Sequence, residues 1–362
     1  MNNDPRYHKF LQIGNKKIGE GEPTFFIADI AANHDGDIKR AKNLIRLAAE
    51  AGADAAKFQH FQAKSIVSDV GFRSLGGQKG HQSKWNKTVF EVYSDASVSL
   101  DWTEELRDAC EQAGIIFFTS PYSFDLVDYI DQYVPAYKIG SGDITWLEII
   151  HHIAKKNKPY LVATGASTLT EVQNAVDEAV LINGQICLMQ CNTNYTGDLE
   201  NFKYINLNVL KKYAELYPGM VLGLSDHTPG HSTVLGAISL GARMIEKHFT
   251  DDKLRAGPDH AFSMDFKDWS EMVRSARELE NALGGYEKKV EENELETVVL
   301  QRRAVRAAHN LLAGTILKRQ DLEVLRPCPL GAISADNLDN IDGKVLNKAI
   351  VLGECIKWTD LE

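Results

Sequence analysis

The sequence predicts a TIM-type (β/α)8 barrel, an α/β fold, followed by a small C-terminal domain. Three observations support this fold class. Eight short apolar segments have the length of buried strands, most are separated by stretches with helical spacing, and a polar residue closes nearly every segment. A doubly wound open sheet would give a similar alternation, but eight segments with polar ends favour the barrel.

Each predicted strand is a short apolar run of the kind found in a sheet that is covered on both faces. In chain order the segments are 24–29, 55–59, 114–120, 136–141, 160–165, 186–191, 221–225 and 244–248. Segments 38–51 and 102–113 carry apolar residues at helical spacing with charged residues between them. This pattern is typical of amphipathic helices that pack outside a sheet.

Residues 284–301 are charged and poor in core residues, which predicts a connector between two domains. The expected boundaries are a barrel over residues 1–285, a linker over 286–301 and a C-terminal domain over 302–362. Residues 314–323 match residues 353–362 at Gly, Lys, Asp, Leu and Glu, which predicts one small pseudo-symmetric fold. About sixty residues supply a limited core, so we expect this domain to pack on the barrel or on a partner subunit.

Composition narrows the class of protein. A hydrophobic content of 44% over 362 residues is sufficient for a sizeable core, and a net charge of −10 argues against a general nucleic-acid or anionic-membrane surface. No stretch approaches the length of a membrane span and residues 1–8 lack the apolar core of a secretion signal, so we expect a cytoplasmic protein. Five cysteines without paired CxxC motifs favour neither a disulfide framework nor structural zinc.

Two histidines follow short apolar segments at predicted strand ends. His227 closes residues 222–227 and His248 closes residues 244–248. Two imidazoles from neighbouring strand ends can bind one divalent ion and leave positions open for substrate and water. For either histidine alone, a hydrogen-bonded structural role is the alternative.

Two lysines in apolar segments are candidates for binding an anion. The ammonium groups of Lys57 and Lys138 have to face a solvated mouth or an anion, because uncompensated burial of charge is costly. A phosphate group would satisfy both lysines. The nearby polar residues at strand ends are Gln59, Thr119, Ser141 and Ser225. An internal ion pair is the alternative for each lysine, and its candidate carboxylates are Asp29, Asp143 and Glu246.

These residues stand in strings that resemble the bacterial sialic acid synthase family, whose members make nonulosonic acids. The strings are FIADIAANH at 26–34, GADAAKFQ at 52–59, AYKIGSG at 136–142, GLSDH at 223–227, and EKHFT at 246–250 with GPD at 257–259. The C-terminal domain resembles the antifreeze-like module of this family, also called SAF, with LRP at 325–327. The resemblance covers nearly the whole chain.

The resemblance implies that phosphoenolpyruvate condenses with an open-chain N-acetylated amino sugar and that phosphate is released. The acceptor would be N-acetylmannosamine or a diacetamido-trideoxyhexose. It also implies that His227 and His248 bind Mn²⁺ or Mg²⁺, which polarises the sugar aldehyde. The residues expected to hold phosphoenolpyruvate are Lys57, Lys138, Thr119, Ser141 and Ser225, and Gln59 is a further substrate-binding candidate.

The remaining roles follow from the same resemblance. Asp29 and Asp143 are expected to handle protons, so the predicted catalytic residues are Asp29, Asp143 and His227. The sugar would be oriented by Tyr195, Asp259 and Arg326. The family further implies a domain-swapped homodimer in which Arg326 reaches into the partner's barrel.

Some positions depart from the family pattern. Glutamate is usual where this chain has Asp29 and Asp143, so each carboxylate is drawn back by one C–C bond, about 1.5 Å. Ala163 replaces a serine that often helps to bind phosphoenolpyruvate, and QCNTNY at 190–195 differs from the usual His-Cys-Thr-x-x-Tyr. Because the lysines and histidines remain, these changes indicate a divergent sugar acceptor more than lost activity.

Two other functions compete with this interpretation. A barrel aldolase could use Lys57 or Lys138 as a Schiff-base amine, but it would not need two histidines and hydroxyl donors suited to phosphate. A degenerate barrel could serve only to bind carbohydrate or a partner, but the retained charges at the strand ends argue against this.

Overall fold

The computed structural model describes residues 6–75, 82–83 and 85–362. It divides into two compact units, Met1–Gly284 and Gly285–Glu362.

A two-stranded antiparallel hairpin opens the first unit, an element that the sequence analysis did not predict. Its strands are β1 Phe10–Ile13 and β2 Lys16–Gly19. Gly14 in the turn adopts a φ of 57°, which glycine reaches without steric cost. Its buried apolar side chains join the main core: Leu11, Ile13 and Ile18. Lys16 donates to Asp54 just before a barrel strand at 2.9 Å, so the hairpin lies at the amino end of the barrel.

Eight parallel strands then close a barrel, as the sequence predicts. They are β3 Phe25–Asp29, β4 Ala55–His60, β5 Ile116–Pro121, β6 Tyr137–Ile139, β7 Tyr160–Ala163, β8 Ile186–Cys191, β9 Val221–Asp226 and β10 Ala242–His248. Neighbours in the barrel are neighbours in the chain, and β10 pairs with β3 to close the ring. Each strand overlaps one of the eight apolar segments.

Helices of the first unit connect these strands. The α-helices are α1 Ile38–Glu50, α2 Ala63–Ile66, α3 Asp69–Ser74, α4 Val89–Ala96, α5 Thr103–Gln112, α6 Phe124–Ile130, α7 Leu147–Ala154, α8 Leu169–Val180, α9 Val209–Leu216, α10 Ser232–Ser239 and α11 Phe266–Leu283. Short 3₁₀ helices occupy Leu100–Trp102, Ser141–Asp143, Leu199–Tyr204 and His260–Phe262. Helices α1 and α5 confirm the two amphipathic predictions. In the described ranges, none of the helices is both long and apolar enough to cross a membrane.

The strand register decides which side chains meet inside the barrel. Asp29 is paired with Lys57 on one side and with His248 on the other, and Glu246 is paired with Ser225. Paired residues of parallel strands point to the same face, and successive residues alternate between faces. These five side chains therefore converge inside the barrel near its carboxyl end.

The second unit has a small core of its own. It contains a 3₁₀ turn at Glu292–Glu294, helix α12 Leu295–Gln301, and the antiparallel strands β11 Ala304–Ala307 and β12 Leu322–Leu325. Further 3₁₀ turns occupy Arg319–Asp321, Ala335–Asn340 and Trp358–Asp360. The buried core residues are Val305, Ala307, Leu311, Leu317, Leu322, Ile333, Ile341, Leu346, Ile350 and Ile356.

The repeated sequence of the second unit adopts the same local structure twice. The buried carboxylate of Asp321 accepts a hydrogen bond from the Lys318 backbone at 2.8 Å, and that of Asp360 accepts one from the Lys357 backbone at 2.9 Å. Each bond closes the start of a 3₁₀ turn. The match between residues 314–323 and 353–362 therefore corresponds to a repeated structural corner.

Candidate active site

A cavity of about 390 Å³ lies at the carboxyl ends of the barrel strands. Most of the residues singled out from the sequence line it: Asp29, Lys57, Gln59, Lys138, Ser141, Asp143, Tyr195, Ser225, His227, His248 and Asp259. Glu246 lines the cavity with them. The carboxyl end of a TIM barrel is where such enzymes place their active sites, so this cavity is the candidate active site.

The first ion pair in the cavity joins Lys57 to Asp29. The Lys57 Nζ atom donates to Asp29 Oδ2 at 2.6 Å, and the Gln59 amide donates to the same oxygen at 3.1 Å. The side chains of Lys57 and Asp29 are each 2% exposed. Burial disfavours the ammonium form, but Asp29 and Glu246 outweigh it and raise the pKa of Lys57 above its ordinary value. Lys57 therefore stays charged.

The second ion pair joins Lys138 to Glu246. Lys138 Nζ donates to Glu246 Oε1 at 2.6 Å, Ser225 Oγ donates to the same oxygen at 3.2 Å, and Lys57 Nζ lies 3.8 Å away. Burial opposes ionisation of Glu246, but Lys138 and Lys57 lower its pKa to about 2. Both lysines therefore form internal ion pairs, which was the alternative to anion binding left open from the sequence. Each ammonium group also borders the cavity, where an anion could reach it.

Two neutral imidazoles stand beside these pairs. The ring centroids of His227 and His248 are 5.4 Å apart. Burial and the nearby His248 ring lower the pKa of His227 to about 3. Burial and the Lys57 charge lower the pKa of His248 to about 3. Both rings are therefore neutral at physiological pH, which is the form that binds metals.

The hydrogen bonds of the two rings fit a metal site. His227 Nδ1 lies 3.0 Å from the Asn192 carbonyl oxygen and donates to it, which leaves Nε2 as an unprotonated nitrogen. His248 Nδ1 is buried without a hydrogen-bond partner, and His248 Nε2 lies 3.6 Å from Asp29 Oδ2. Among the described residues, no ready-made cluster of three or more His, Cys, Asp or Glu ligands occurs. An ion here would therefore need ligands from substrate or water.

The structure corrects the expectation for Thr119. Its hydroxyl donates to the Phe58 carbonyl oxygen at 2.8 Å and lies 2.8 Å from His60 Nδ1, so it faces outward, away from the cavity. Ser120, the next residue, lines the cavity, and its buried hydroxyl has no hydrogen-bond partner. Register pairs Ser120 with Gln59, which faces inward. Alternation places Thr119 and Ser120 on opposite faces of β5, but only the register with β4 shows that Ser120 is the one that faces inward.

Two further acidic side chains, Asp143 and Asp259, line the cavity. Burial raises the pKa of Asp143 to about 6. Burial also raises the pKa of Asp259 to about 6, although its Oδ2 accepts a hydrogen bond from the Ala32 backbone at 3.0 Å. Carboxyl groups with such pKa values can take up and release protons near neutral pH.

A tight contact positions Ser141 at the cavity edge. The Gly165 backbone donates to Ser141 Oγ at 3.0 Å. A Cβ atom on Gly165 would lie 2.5 Å from a Thr193 carbon and 2.9 Å from Ser141 Oγ, so this close approach requires glycine. Ala163 and Cys191 line the cavity nearby.

An apolar wall lies among the cavity residues, defined here as Phe61, Ile66, Val92 and Ala96. Trp85 and Tyr93 also line the cavity, and the Tyr93 ring packs on the Phe61 ring with centroids 5.3 Å apart. These residues belong to α2, α4 and the chain between β4 and α5.

Tyr195 completes the cavity beside the histidines. Its ring centroid lies 4.4 Å from that of His227 and 6.4 Å from that of His248. Arg326 belongs to the second unit, where it is exposed. Its expected contact with a sugar stays a prediction.

Comparison with known proteins identifies the family. The sequence profile of the NeuB family matches residues 44–288, and that of the SAF domain matches residues 302–362. The chain belongs to the NeuB family. The resemblance stated from sequence motifs is thereby confirmed.

Other NeuB-type proteins resemble this chain along most of its length. It is 33% identical over 359 residues to N,N'-diacetyllegionaminic acid synthase of Legionella pneumophila, covering 96% of this chain and 98% of the relative. It is 32% identical over 332 residues to N-acetylneuraminate-9-phosphate synthase of Homo sapiens, covering 91% and 90%. The crystal structure of N-acetylneuraminic acid synthetase from Leptospira borgpetersenii with citrate is 25% identical, with a TM-score of 0.69, covering 81% of this chain and 97% of that one.

Proposed function

We propose that this NeuB family member condenses phosphoenolpyruvate with an open-chain N-acetylated amino sugar to form a nonulosonic acid and phosphate. One observation carries the proposal: two buried lysine–carboxylate pairs and two neutral imidazoles line a single cavity at the carboxyl end of the barrel. The relatives named above, which make acids of this class, support it.

The cationic part of the cavity suits the phosphate and carboxylate groups of phosphoenolpyruvate. Lys57 and Lys138 would supply charge, because each ammonium group has three donors and its internal carboxylate leaves donors free for an anion. Ser120, with its unpartnered hydroxyl, takes the place expected for Thr119. Ser141 and Ser225 would add further donors at the same edge.

His227 and His248 would hold Mn²⁺ or Mg²⁺, since their neutral rings expose nitrogens that no protein donor occupies. When bound, a divalent ion supplies Lewis-acid polarisation of a carbonyl group. The Asn192 carbonyl fixes the tautomer of His227.

The reaction forms one C–C bond and breaks one C–O bond. C3 of phosphoenolpyruvate attacks the aldehyde carbon, water adds at C2, and the C2–O bond to phosphate breaks. Of the two protons of that water, one ends on the new hydroxyl group and the other on phosphate. Asp143 and Asp29 would carry these protons, and Asp143 has a pKa suited to this near neutral pH. Tyr195 and Asp259 would orient the sugar.

We also propose a domain-swapped homodimer in which the partner subunit's Arg326 contacts the sugar. Mixing subunits that carry Arg326→Ala with subunits that carry Lys57→Met tests this. A heterodimer should regain one functional site, because one barrel would combine an intact Lys57 with an intact arginine from its partner. Absence of any recovery, with heterodimers verified by mass, contradicts the swapped arrangement.

A Schiff-base aldolase is less compatible with the site. A nucleophilic amine must lose its proton, whereas the neighbouring carboxylates raise the pKa of Lys57. Borohydride trapping with pyruvate should leave the protein unmodified. The purely binding alternative would leave two buried ion pairs and an unpartnered serine without a chemical role.

A phosphate-release assay tests the condensation. Phosphoenolpyruvate would be combined with N-acetylmannosamine and with each of two diacetamido-trideoxyhexoses, with Mn²⁺ or Mg²⁺, and the product identified by mass spectrometry. At least one acceptor should give phosphate and an equal amount of a nonulosonic acid. Failure of every acceptor with both metals, in protein that is folded by circular dichroism, contradicts the proposal. The Lys57→Met variant controls for contaminating phosphatase.

A further inference from the structure

A buried ion pair lies on the outer face of the barrel, directly behind the two histidines. Asp226 and Lys247 are paired in the register of β9 and β10, and each lies between two residues that face the cavity. Lys247 Nζ lies 2.5 Å from Asp226 Oδ2, and the side chains are 1% and 0% exposed. Neither residue lines the cavity. The pair therefore cannot touch a substrate there.

This pair ties together the elements that carry the histidines. The Asp226 carboxylate accepts hydrogen bonds from the Thr228 backbone at 3.2 Å, from Thr228 Oγ1 at 2.9 Å and from Thr233 Oγ1 at 2.7 Å. Lys247 also donates to the Thr228 carbonyl oxygen at 2.6 Å. The network joins strand β10, the end of β9, the loop after β9 and the first turn of α10.

The position of this network in the chain explains its effect. His227 stands between Asp226 and Thr228 in the chain. The Asp226 carboxylate bonds the backbone and the hydroxyl group of Thr228, so the two residues that flank His227 are tied to each other. His248 directly follows Lys247 in the chain. Fixing the backbone on either side of a residue limits the directions in which its ring can point.

Stability is a poor explanation for keeping such a pair. Desolvation of two buried charges offsets most of their attraction, and apolar residues of similar volume often serve as well. A fully bonded carboxylate that spans a strand, a loop and a helix fixes geometry instead.

We infer that Asp226 and Lys247 are positioning residues that hold His227 and His248 at the separation needed to share one divalent ion. The inference rests on the metal site of the proposed function. It extends that site to two residues that act through the backbone without facing the cavity.

Binding of Mn²⁺ alone tests the inference. Free Mn²⁺ would be measured by electron paramagnetic resonance during titration of the full chain, without phosphoenolpyruvate or sugar. Asp226→Asn keeps the shape of the side chain and removes its charge. We expect the Kd for Mn²⁺ to rise about 10- to 100-fold, the range seen when groups that orient metal ligands are changed.

Asp54→Asn is the matched control. Asp54 accepts from Lys16 at 2.9 Å and from the Phe26 backbone at 2.9 Å, at the opposite end of the barrel. This variant should lose stability without changing the Kd for Mn²⁺ by more than about twofold. If Asp54→Asn weakens Mn²⁺ binding as much as Asp226→Asn, the pair has only a structural role.

The double variant Asp226→Asn with Lys247→Met separates two effects of losing Asp226: the loss of histidine positioning and the burial of an unpaired Lys247 charge. It leaves no uncompensated buried ammonium, so its stability should recover relative to Asp226→Asn while Mn²⁺ binding stays weak. Wild-type affinity in Asp226→Asn and in the double variant overturns the inference and leaves the metal site intact. A wild-type protein that binds no Mn²⁺ rejects the metal site itself, and the inference with it.

Discussion

The Lys57 ammonium group lies 2.6 Å from the Asp29 carboxylate, and both side chains are almost fully enclosed inside the barrel. Asp29 also accepts hydrogen bonds from Gln59 and from the Ala31 backbone. Adjacent positions on β3 and β4 bring the two charges together. The pair therefore neutralises two buried charges and also places an ammonium group at the cavity.

Lys57→Met should therefore impair both stability and donor binding. It leaves the Asp29 carboxylate buried without its cation, which costs about 3–5 kcal/mol. Asp29→Asn should cost less, because Lys57 keeps Glu246 at 3.8 Å. Urea unfolding would measure the free energies, and isothermal titration would measure phosphoenolpyruvate binding. A Lys57→Met protein as stable as Asp29→Asn would contradict this ranking.

The double variant His227→Ala and His248→Ala should abolish condensation and Mn²⁺ binding without unfolding the protein. Phosphate release and metal titration would measure the losses, and circular dichroism would follow the fold. His60→Ala is the matched control, because His60 is equally buried but bonds Thr119 and Thr103 on the outer face of β4. Unchanged turnover in the double variant would remove the histidines from the mechanism.

Ser120 and Thr119 should differ sharply in their effects. Ser120→Ala removes a hydroxyl that faces the cavity, so the KM for phosphoenolpyruvate should rise about tenfold, with little loss of stability. Thr119→Val removes hydrogen bonds to Phe58 and His60, so it should lower the free energy of unfolding by about 1 kcal/mol or more and leave KM unchanged. A raised KM in Thr119→Val with an unchanged KM in Ser120→Ala would show that Thr119, and not Ser120, faces the cavity.

Ionisation of Asp143 should produce an acidic limb in the pH profile of kcat/KM. Its pKa of about 6 lies above the ordinary value of 3.8, so it ionises only above about pH 6. If Asp143 is the base, kcat/KM falls about tenfold per pH unit below that value. Asp143→Asn should remove the limb and lower kcat. Asp259→Asn, which changes a carboxyl group of similar pKa, should keep it.

The same pKa shift predicts a stability effect of defined sign. Between about pH 4 and pH 6 the folded protein binds a proton at Asp143 that the unfolded chain has released, so the free energy of unfolding decreases as pH rises through this range. Asp143→Asn should be more stable than wild type above pH 6, by about 1–3 kcal/mol. Below pH 4 the difference should vanish. Urea unfolding at several pH values measures it.

The apolar wall predicts which sugars are accepted. Phe61, Ile66, Val92 and Ala96 offer no charge to a phosphate, but they can pack against methyl groups. A diacetamido-trideoxyhexose should therefore exceed N-acetylmannosamine 6-phosphate in kcat/KM by about tenfold or more. Val92→Asp should lower kcat/KM for the former sugar and leave the KM for phosphoenolpyruvate unchanged. Val70→Asp, at an exposed position, is the control. Preference for the phosphorylated sugar would contradict this use of the wall.

Much of the barrel followed from local pattern. Strands such as Ile186–Cys191 consist mainly of apolar residues, and helix Ile38–Glu50 buries residues at helical spacing. The hairpin was missed because its short strands mix polar or charged residues with apolar ones and lack the apolar run that marks the barrel strands. It is defined by contacts with the distant barrel end, which a local pattern does not contain.

The candidate site was predicted where strand ends carry chemically distinctive residues. Lysines and histidines within apolar segments stand out, whereas Thr119 and Ser120 are chemically alike and differ only in the face they occupy. The ion pairs of Lys57 and Lys138 depend on the register between strands, which no single segment specifies. Trp85 and Tyr93 reach the cavity from a connecting stretch whose path depends on tertiary packing.

The hairpin of β1 and β2 lies at the end of the barrel opposite the cavity, and its buried side chains join the main core. Under the proposed function, phosphoenolpyruvate, the sugar and both products would all pass the loops at the carboxyl end. A donor held by Lys57 and Lys138 would sit beneath the acceptor, so binding would be ordered, with the deeper reactant entering first. Excess sugar should therefore slow the reaction by entering early and blocking that route.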